Sequence, residues 1–147
     1  SKGNIVMKGN QFRILANNIK SWYDGKTQWT YSSATQEVNI STPSANQLVM
    51  VNPLAAAQSL KAGYSMSAKK SGTGYVLTLK PKAKSKVVSI ALYVSKNYVL
   101  TKAVYTTNKG SQTLTISNYK TKVSTSASTF KFSKNQVPAG TEVVDLR

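Results

Sequence analysis

Short runs of strand-forming residues, cut by breakers every few positions, limit what this chain can fold into more than any other feature. Thr, Val, Tyr and Ile recur along it, and Gly, Asn, Asp and Pro interrupt them. That is the pattern of hairpins in an antiparallel sheet. Strands are predicted at Asn4–Met7, Phe12–Ala16, Ser21–Tyr23, Gln28–Tyr31 and Glu37–Ser41. After a gap they follow at Tyr64–Ala68, Tyr75–Lys80, Val87–Val94, Val99–Thr106, Gln112–Asn118 and Thr129–Phe132. Asp24-Gly25, Ser71-Gly72-Thr73-Gly74 and Asn108-Lys109-Gly110 supply turns. One stretch reads differently: Asn52 to Gly63 has Asn52 as a cap, Pro53 in the first turn and Gly63 past the end, the start and stop signals of a short helix. A weaker helical signal covers Ala45–Val51, opposed by the β-branched Val49 and Val51. Ser124–Ser128 reads as a loop, and with no repeat and no boundary residues 1–147 read as one domain.

Successive strand residues point to opposite sides. From Val87, one face carries Val88, Ile90, Leu92 and Val94, and the other Val87, Ser89, Ala91 and Tyr93. In the next strand Leu100 and Val104 share a face, against Val99, Ala103 and Tyr105; then Leu114 and Ile116 oppose Thr113, Thr115 and Ser117. A long apolar face with one or two short helices to cover it has two outcomes. Either the sheet curls on itself, or something from outside covers it. The stretch Gln11–Tyr31 poses the same choice, with Phe12, Trp22, Tyr23, Trp29 and Tyr31 serving a core or lining an apolar hollow.

The absence of cysteine and histidine removes thiol chemistry, zinc sites and histidine acid–base work from this chain. The four acids are Asp24, Glu37, Glu142 and Asp145. Asp24 belongs to a turn and Glu37 to the solvent side of a strand. Glu142 and Asp145, three apart, would point to opposite faces if extended, so they make no glycosidase pair. No nucleophile elbow, phosphate loop or dinucleotide motif occurs, and four scattered carboxylates make a poor metal cage. The expectation is a non-enzyme with no metal and no cofactor. No apolar run approaches the roughly 20 residues of a spanning helix.

Lys and Arg number 20 against 4 Asp and Glu, a net charge of +16, which draws a chain to anionic surfaces. All but Arg13 and Arg147 of these are lysines, flexible point charges rather than bidentate forks. Lys80, Lys82, Lys84 and Lys86 alternate, and in an extended segment they would form a comb. As a solvated loop the comb discourages edge pairing; as a contact it would meet an anionic lipid surface or an acidic partner. Tyr93, Tyr98, Tyr105 and Tyr119 could stack bases, but no nucleic-acid motif accompanies them, so no nucleic-acid partner is expected.

The order of several motifs resembles the outer-membrane lipoprotein carrier, or LolA-like, family. The motifs are Phe12-Arg13 ending a strand, Asp24-Gly25 followed by Trp29 and Tyr31, Gln36 with Val38, and then "NP" before a short helix. "YVLTLKPK", the strands from Val87 to Asn118 and the closing "FKFSKNQVPAGTEVVDL" are similar to the rest of the family pattern. The resemblance implies a mainly β fold: a strongly curved antiparallel sheet forming an unclosed half-barrel with one or two short helices as a lid. It implies an apolar hollow shielding acyl chains of lipoproteins or other lipids, in the periplasm, with outer-membrane lipoprotein sorting as the process. Phe12, Trp29, Tyr31, Leu48, Ile90, Leu92, Leu100, Leu114 and Ile116 are its expected lining. Arg13 either closes the lid through helix backbone or is an ordinary strand arginine. Expected partners are acyl chains, envelope proteins, an anionic membrane surface touched transiently and a second copy of the chain through an exposed apolar face. The chain starts too late to hold the family's first helix and first strand, which are expected to be trimmed, absent from this sequence or replaced by a neighbouring molecule's segment, and the signal peptide of an exported protein is not in this chain. The runner-up is an envelope module binding protein or glycan on the same fold, and the weakest reading is a basic nucleic-acid binder.

Overall fold

The computed structural model describes residues 2–45, 47–48 and 63–147. They are mainly β. The strands are β1 Gly3–Lys8, β2 Gln11–Ala16, β3 Ile19–Tyr23, β4 Gln28–Ser32, β5 Glu37–Ser41, β6 Tyr64–Ser71, β7 Gly74–Pro81, β8 Val87–Val94, β9 Leu100–Thr107, β10 Gly110–Thr115 and β11 Glu142–Asp145. They make one sheet in the order β1-β2-β3-β4-β5-β11 and another in the order β10-β9-β8-β7-β6. Neither order returns to its start, so no barrel closes among the described residues, the class expected of an unclosed half-barrel. The sheets belong to two compact units, Ser1–Leu48 with Ser124–Arg147, and Val49–Val123.

Turn chemistry sets the hairpins. Asp24 Oδ1 accepts the backbone N–H groups of Lys26 at 3.0 Å and Thr27 at 2.8 Å, and Gly25 takes φ of 104°, so β3 and β4 meet at the predicted turn. Gly72, between β6 and β7, and Gly110, the first residue of β10, likewise take positive φ. Gly74 has a different reason. A Cβ there would overlap the carbonyl oxygen of Val94, with Ser95 Cα at 3.1 Å. Because both neighbours are backbone, β7 and β8 would have to part. Gly74→Ala should therefore cost about 1–3 kcal/mol, read as a lower urea midpoint at unchanged slope. An unaltered midpoint would mean that the strand pair separates freely.

Two sequence expectations change. Thr129–Phe132 is not a strand; Ala127–Phe130 is a 3₁₀ helix, because Ser126 and Thr129 satisfy the backbone locally. Thr129 N–H donates to the Ser126 carbonyl at 3.1 Å, and Ser126 N–H donates to Thr129 Oγ1 at 3.1 Å. β11, not foreseen as a strand, pairs parallel with β5, which needs the long excursion through the second unit. The helix expected at Ala45–Val51 begins where predicted, with Ala45, Gln47 and Leu48 helical. Ser44 N–H donates to Gln47 Oε1 at 2.8 Å and Gln47 N–H to Ser44 Oγ at 3.4 Å, a capping box. The rest of that helix and the one from Asn52 lie outside the described residues.

In the first unit, Trp22, Tyr31 and Val38 are buried together, with Leu15, Trp29, Phe132 and Val137 packed against them. Phe132 lies 5.4 Å from the Trp22 ring, and Lys20 Nζ donates to the Gln136 carbonyl at 2.9 Å. The C-terminal segment is thereby strapped over this face of the sheet.

Candidate functional site

The larger of the two buried apolar clusters among the described residues lies on the sheet of the second unit, and its register builds it row by row. Leu79 pairs with Ile90 and Ile90 with Tyr105; Leu77 pairs with Leu92, Leu92 with Ala103 and Ala103 with Leu114; Tyr75 pairs with Val94 and Val94 with Leu100. Cross-strand partners share a face, so these rows form one continuous surface. Ile90, Leu92 and Ala103 have no exposed area, and Tyr64, Leu79, Val94, Leu100 and Tyr105 are buried with them. Leu114 and Ile116 flank it, partly buried. The reverse face carries Ser65, Ser67, Lys69, Thr78, Ser89, Lys102, Thr106 and Thr113, the alternation expected of a sheet with one buried side.

Two register shifts decide which residues reach the surface. A bulge between Val87 and Ser89 expels Val88, which is 51% exposed, and Val87 takes its place against the apolar cluster. The second shift leaves Thr101 unpaired, since Tyr93 faces Lys102 while Val94 faces Leu100. Leu100 therefore joins Ala103 and Tyr105 on the buried face, and Val104 turns away, the reverse of the strict alternation expected from the sequence.

Of the expected lining, Ile90, Leu92, Leu100, Leu114 and Ile116 are brought together on this one face. Phe12, Trp29 and Tyr31 belong to the other sheet and do not share a face there. Phe12 is the partner of Tyr23, its ring 5.3 Å away, whereas Trp29 and Tyr31 lie with Trp22 beneath the C-terminal segment. Leu48 is half-buried at the start of the helix. Arg13 is the register partner of Trp22, and its Nε and the Trp22 Nε1 are buried without hydrogen-bond partners. The helix it was expected to hold lies outside the described residues. The lysine comb does not extend as a strand. Lys80 is the penultimate residue of β7, which ends at Pro81, and the chain bends at Lys82, Ala83 and Lys86, all exposed. Sequence reasoning left Leu79, Ala103 and Tyr105 out of the site; Leu79 follows the period of β7, whereas no local signal marks the extra residue at Thr101.

The acids supply no reactive cluster. Asp24 is consumed by its turn. Hydrogen bonds from Arg147 hold Asp145 down at about 2, at an exposed position. Glu37 and Glu142 are register partners in β5 and β11, which the sequence did not foretell, and among the described residues no three acids gather as a metal cage. Burial, by contrast, raises the phenols of Tyr64 and Tyr105, and burial with the charge of Asp24 raises Tyr23 above the ordinary 10.0. The neutral phenol is the buried form. Stability from these groups is complete below pH 10 and is lost as pH rises through the raised values. In an alkaline titration, Tyr23 and Tyr64 should ionise above the ordinary phenol range, and Tyr105 only as the sheet signal in circular dichroism collapses. Ionisation of Tyr105 before any collapse would contradict this burial.

The outer membrane lipoprotein carrier protein LolA family matches residues 1–98. The chain belongs to this family. No curated protein matches it. The match spans β1 to β8, including Phe12-Arg13, Asp24-Gly25, Trp29 and Tyr31, and ends in the turn before β9. Family membership gives the chain a lipoprotein-carrier or lipoprotein-binding role in general. Among the described residues no helix is long and apolar enough to cross a membrane.

Proposed function

We propose that this LolA-family chain is a non-enzymatic periplasmic carrier that shields lipoprotein acyl chains, or other lipid, in outer-membrane lipoprotein sorting. The observation that carries the reading is the continuous apolar face of β7, β8, β9 and β10 in a member of a carrier family. Hydrocarbon laid on such a face gains about 25 cal/mol for each Å² removed from water, the same gain that buries side chains. Ile90 and Leu92 have 0% exposure, so a guest reaches this face only in a state that opens it. A ligand shifts that balance only by binding the open state better. Carriage needs no covalent step, which fits acids committed to a turn and to Arg147.

Mass spectrometry of the natively purified protein should find acyl lipid. A long-chain acyl ligand at a hundredfold excess over its Kd should add about 2.7 kcal/mol of stability and compete with an apolar fluorescent probe. A protein- or glycan-binding module would do neither. Absence of acyl species together with absence of probe binding would overturn carriage.

A further inference from the structure

Charge is divided unequally between the two units. Asp24, Glu37, Glu142 and Asp145 all fall in the first, with eight basic residues. The second, Val49–Val123, has twelve lysines, no arginine and no acid. No lysine there has a carboxylate in its own unit, and a field of one sign repels itself until an opposite charge arrives.

The two ends of the second sheet differ. At one end lie the turn from Ser71 to Gly74, the hairpin from Ser95 to Val99, and the chain leaving β10, where Ile116 N–H donates to the Thr101 carbonyl at 2.8 Å. Lys69, Lys70, Lys96 and Lys102 gather toward this end with Tyr75, Tyr93 and Tyr98. Tyr98 is 75% exposed and stacks on Tyr75, centroids 6.0 Å apart and planes 4° from parallel. Its φ is 61°, uncommon for a bulky residue. The Tyr98 N–H donates to the Ser95 carbonyl at 2.9 Å, which fixes the display. Lys102 Nζ sits 4.0 Å from the Tyr93 ring centroid. At the other end the run from Lys80 to Lys86 has exposed lysines, while the nearby Tyr64 and Tyr105 are buried.

We propose that the tyrosine-bearing end of the second sheet docks on an anionic phospholipid surface. Lysine suits a diffuse plane of headgroups, since a point charge on a flexible stem needs no fixed acceptor geometry. Exposed tyrosine suits the same depth, where an apolar ring with a polar tip prefers the membrane–water boundary. A bulky side chain held in a rare backbone conformation and largely exposed is a feature that folding alone does not require. The docking stands on this charge and display, and it holds whether or not the apolar face accepts a guest. The comb at Lys82, Lys84 and Lys86 has the charge without the aromatic display.

The test is co-sedimentation of the full chain with vesicles of phosphatidylcholine, with and without phosphatidylglycerol. Binding is expected only with phosphatidylglycerol and should weaken as salt rises. Lys69→Gln, Lys70→Gln and Lys96→Gln together should lower partitioning about a hundredfold, at about fivefold per lysine. Tyr98→Asn, which tolerates the same backbone conformation, should weaken it further. Lys82→Gln, Lys84→Gln and Lys86→Gln remove equal charge and should cost less than about tenfold. All replaced side chains are exposed, and circular dichroism should show unaltered sheets. Equal losses from the two triple variants, no preference for phosphatidylglycerol, or release of the vesicle-bound protein by an oligonucleotide would each overturn the proposal.

Discussion

Trp22→Ala is expected to destabilise the first unit by about 3–5 kcal/mol, the cost of emptying a large aromatic site in a packed core. Trp22 has 0% exposure and is held between Tyr31, Val38 and Phe132. Phe132 belongs to the C-terminal segment, so the variant should also loosen that segment. Against a usual total of about 5–15 kcal/mol, the loss is severe. Chemical denaturation followed by Trp29 emission reads it directly. Phe132→Ala alone should destabilise the same unit, and the double variant should cost less than the two losses added, since each removes the contact the other makes. A loss below about 1 kcal/mol for Trp22→Ala would mean that the site collapses to fill itself.

The second large effect concerns binding. Leu114→Glu with Ile116→Glu should weaken acyl-probe affinity about a hundredfold, or about 2.7 kcal/mol. Both side chains flank the apolar cluster and are only partly buried, and β10 is an edge strand, so the sheet should survive the change. A guest leaving water at this rim would meet two carboxylates in place of two hydrocarbons. The controls come from the period of the strand. Thr113→Glu with Thr115→Glu alters the same strand on its exposed face and should leave affinity unaltered. Trp29→Ala, in the other sheet, should cost stability without touching affinity. If both pairs of glutamates weaken binding alike, the probe responds to charge and not to the face.

Strand positions were legible because alternation and turn chemistry act over a few residues. Glu37–Ser41 and Val87–Val94 match the expected bounds, and the turns at Asp24-Gly25 and Asn108-Lys109-Gly110 lie where their residue types demand. Thr129–Phe132 was misread because a serine and a threonine bonded to nearby backbone compete with extended pairing. β11 was missed because a short, exposed strand acquires its pairing only from β5, distant in sequence.

The candidate site was half legible. Ile90 shares a face with Leu92, and Leu114 with Ile116, as their alternation suggested, while the register brings Leu100 to the same surface. Tyr105 and Val104 exchanged sides because one unpaired residue, Thr101, resets the period, and nothing in the composition of β9 announces it. Phe12, Trp29 and Tyr31 looked alike as aromatics in one hairpin region. Register separates them, since Phe12 pairs with Tyr23 whereas Trp29 pairs with Trp22, and the strap of Phe132 and Val137 packs over the face that carries Trp29 and Tyr31.

By itself, then, the amino-acid order determined that this chain is β, that one face of its second sheet is apolar, that thiol and imidazole chemistry are absent and that the surface is cationic. Those properties follow from side-chain chemistry and a local period of two. Tertiary structure alone decided which aromatics are covered, where the bulges turn the period over, and which end of the second sheet joins lysine to displayed tyrosine. Such choices depend on pairings between residues far apart in the chain, and no local pattern encodes a distant partner.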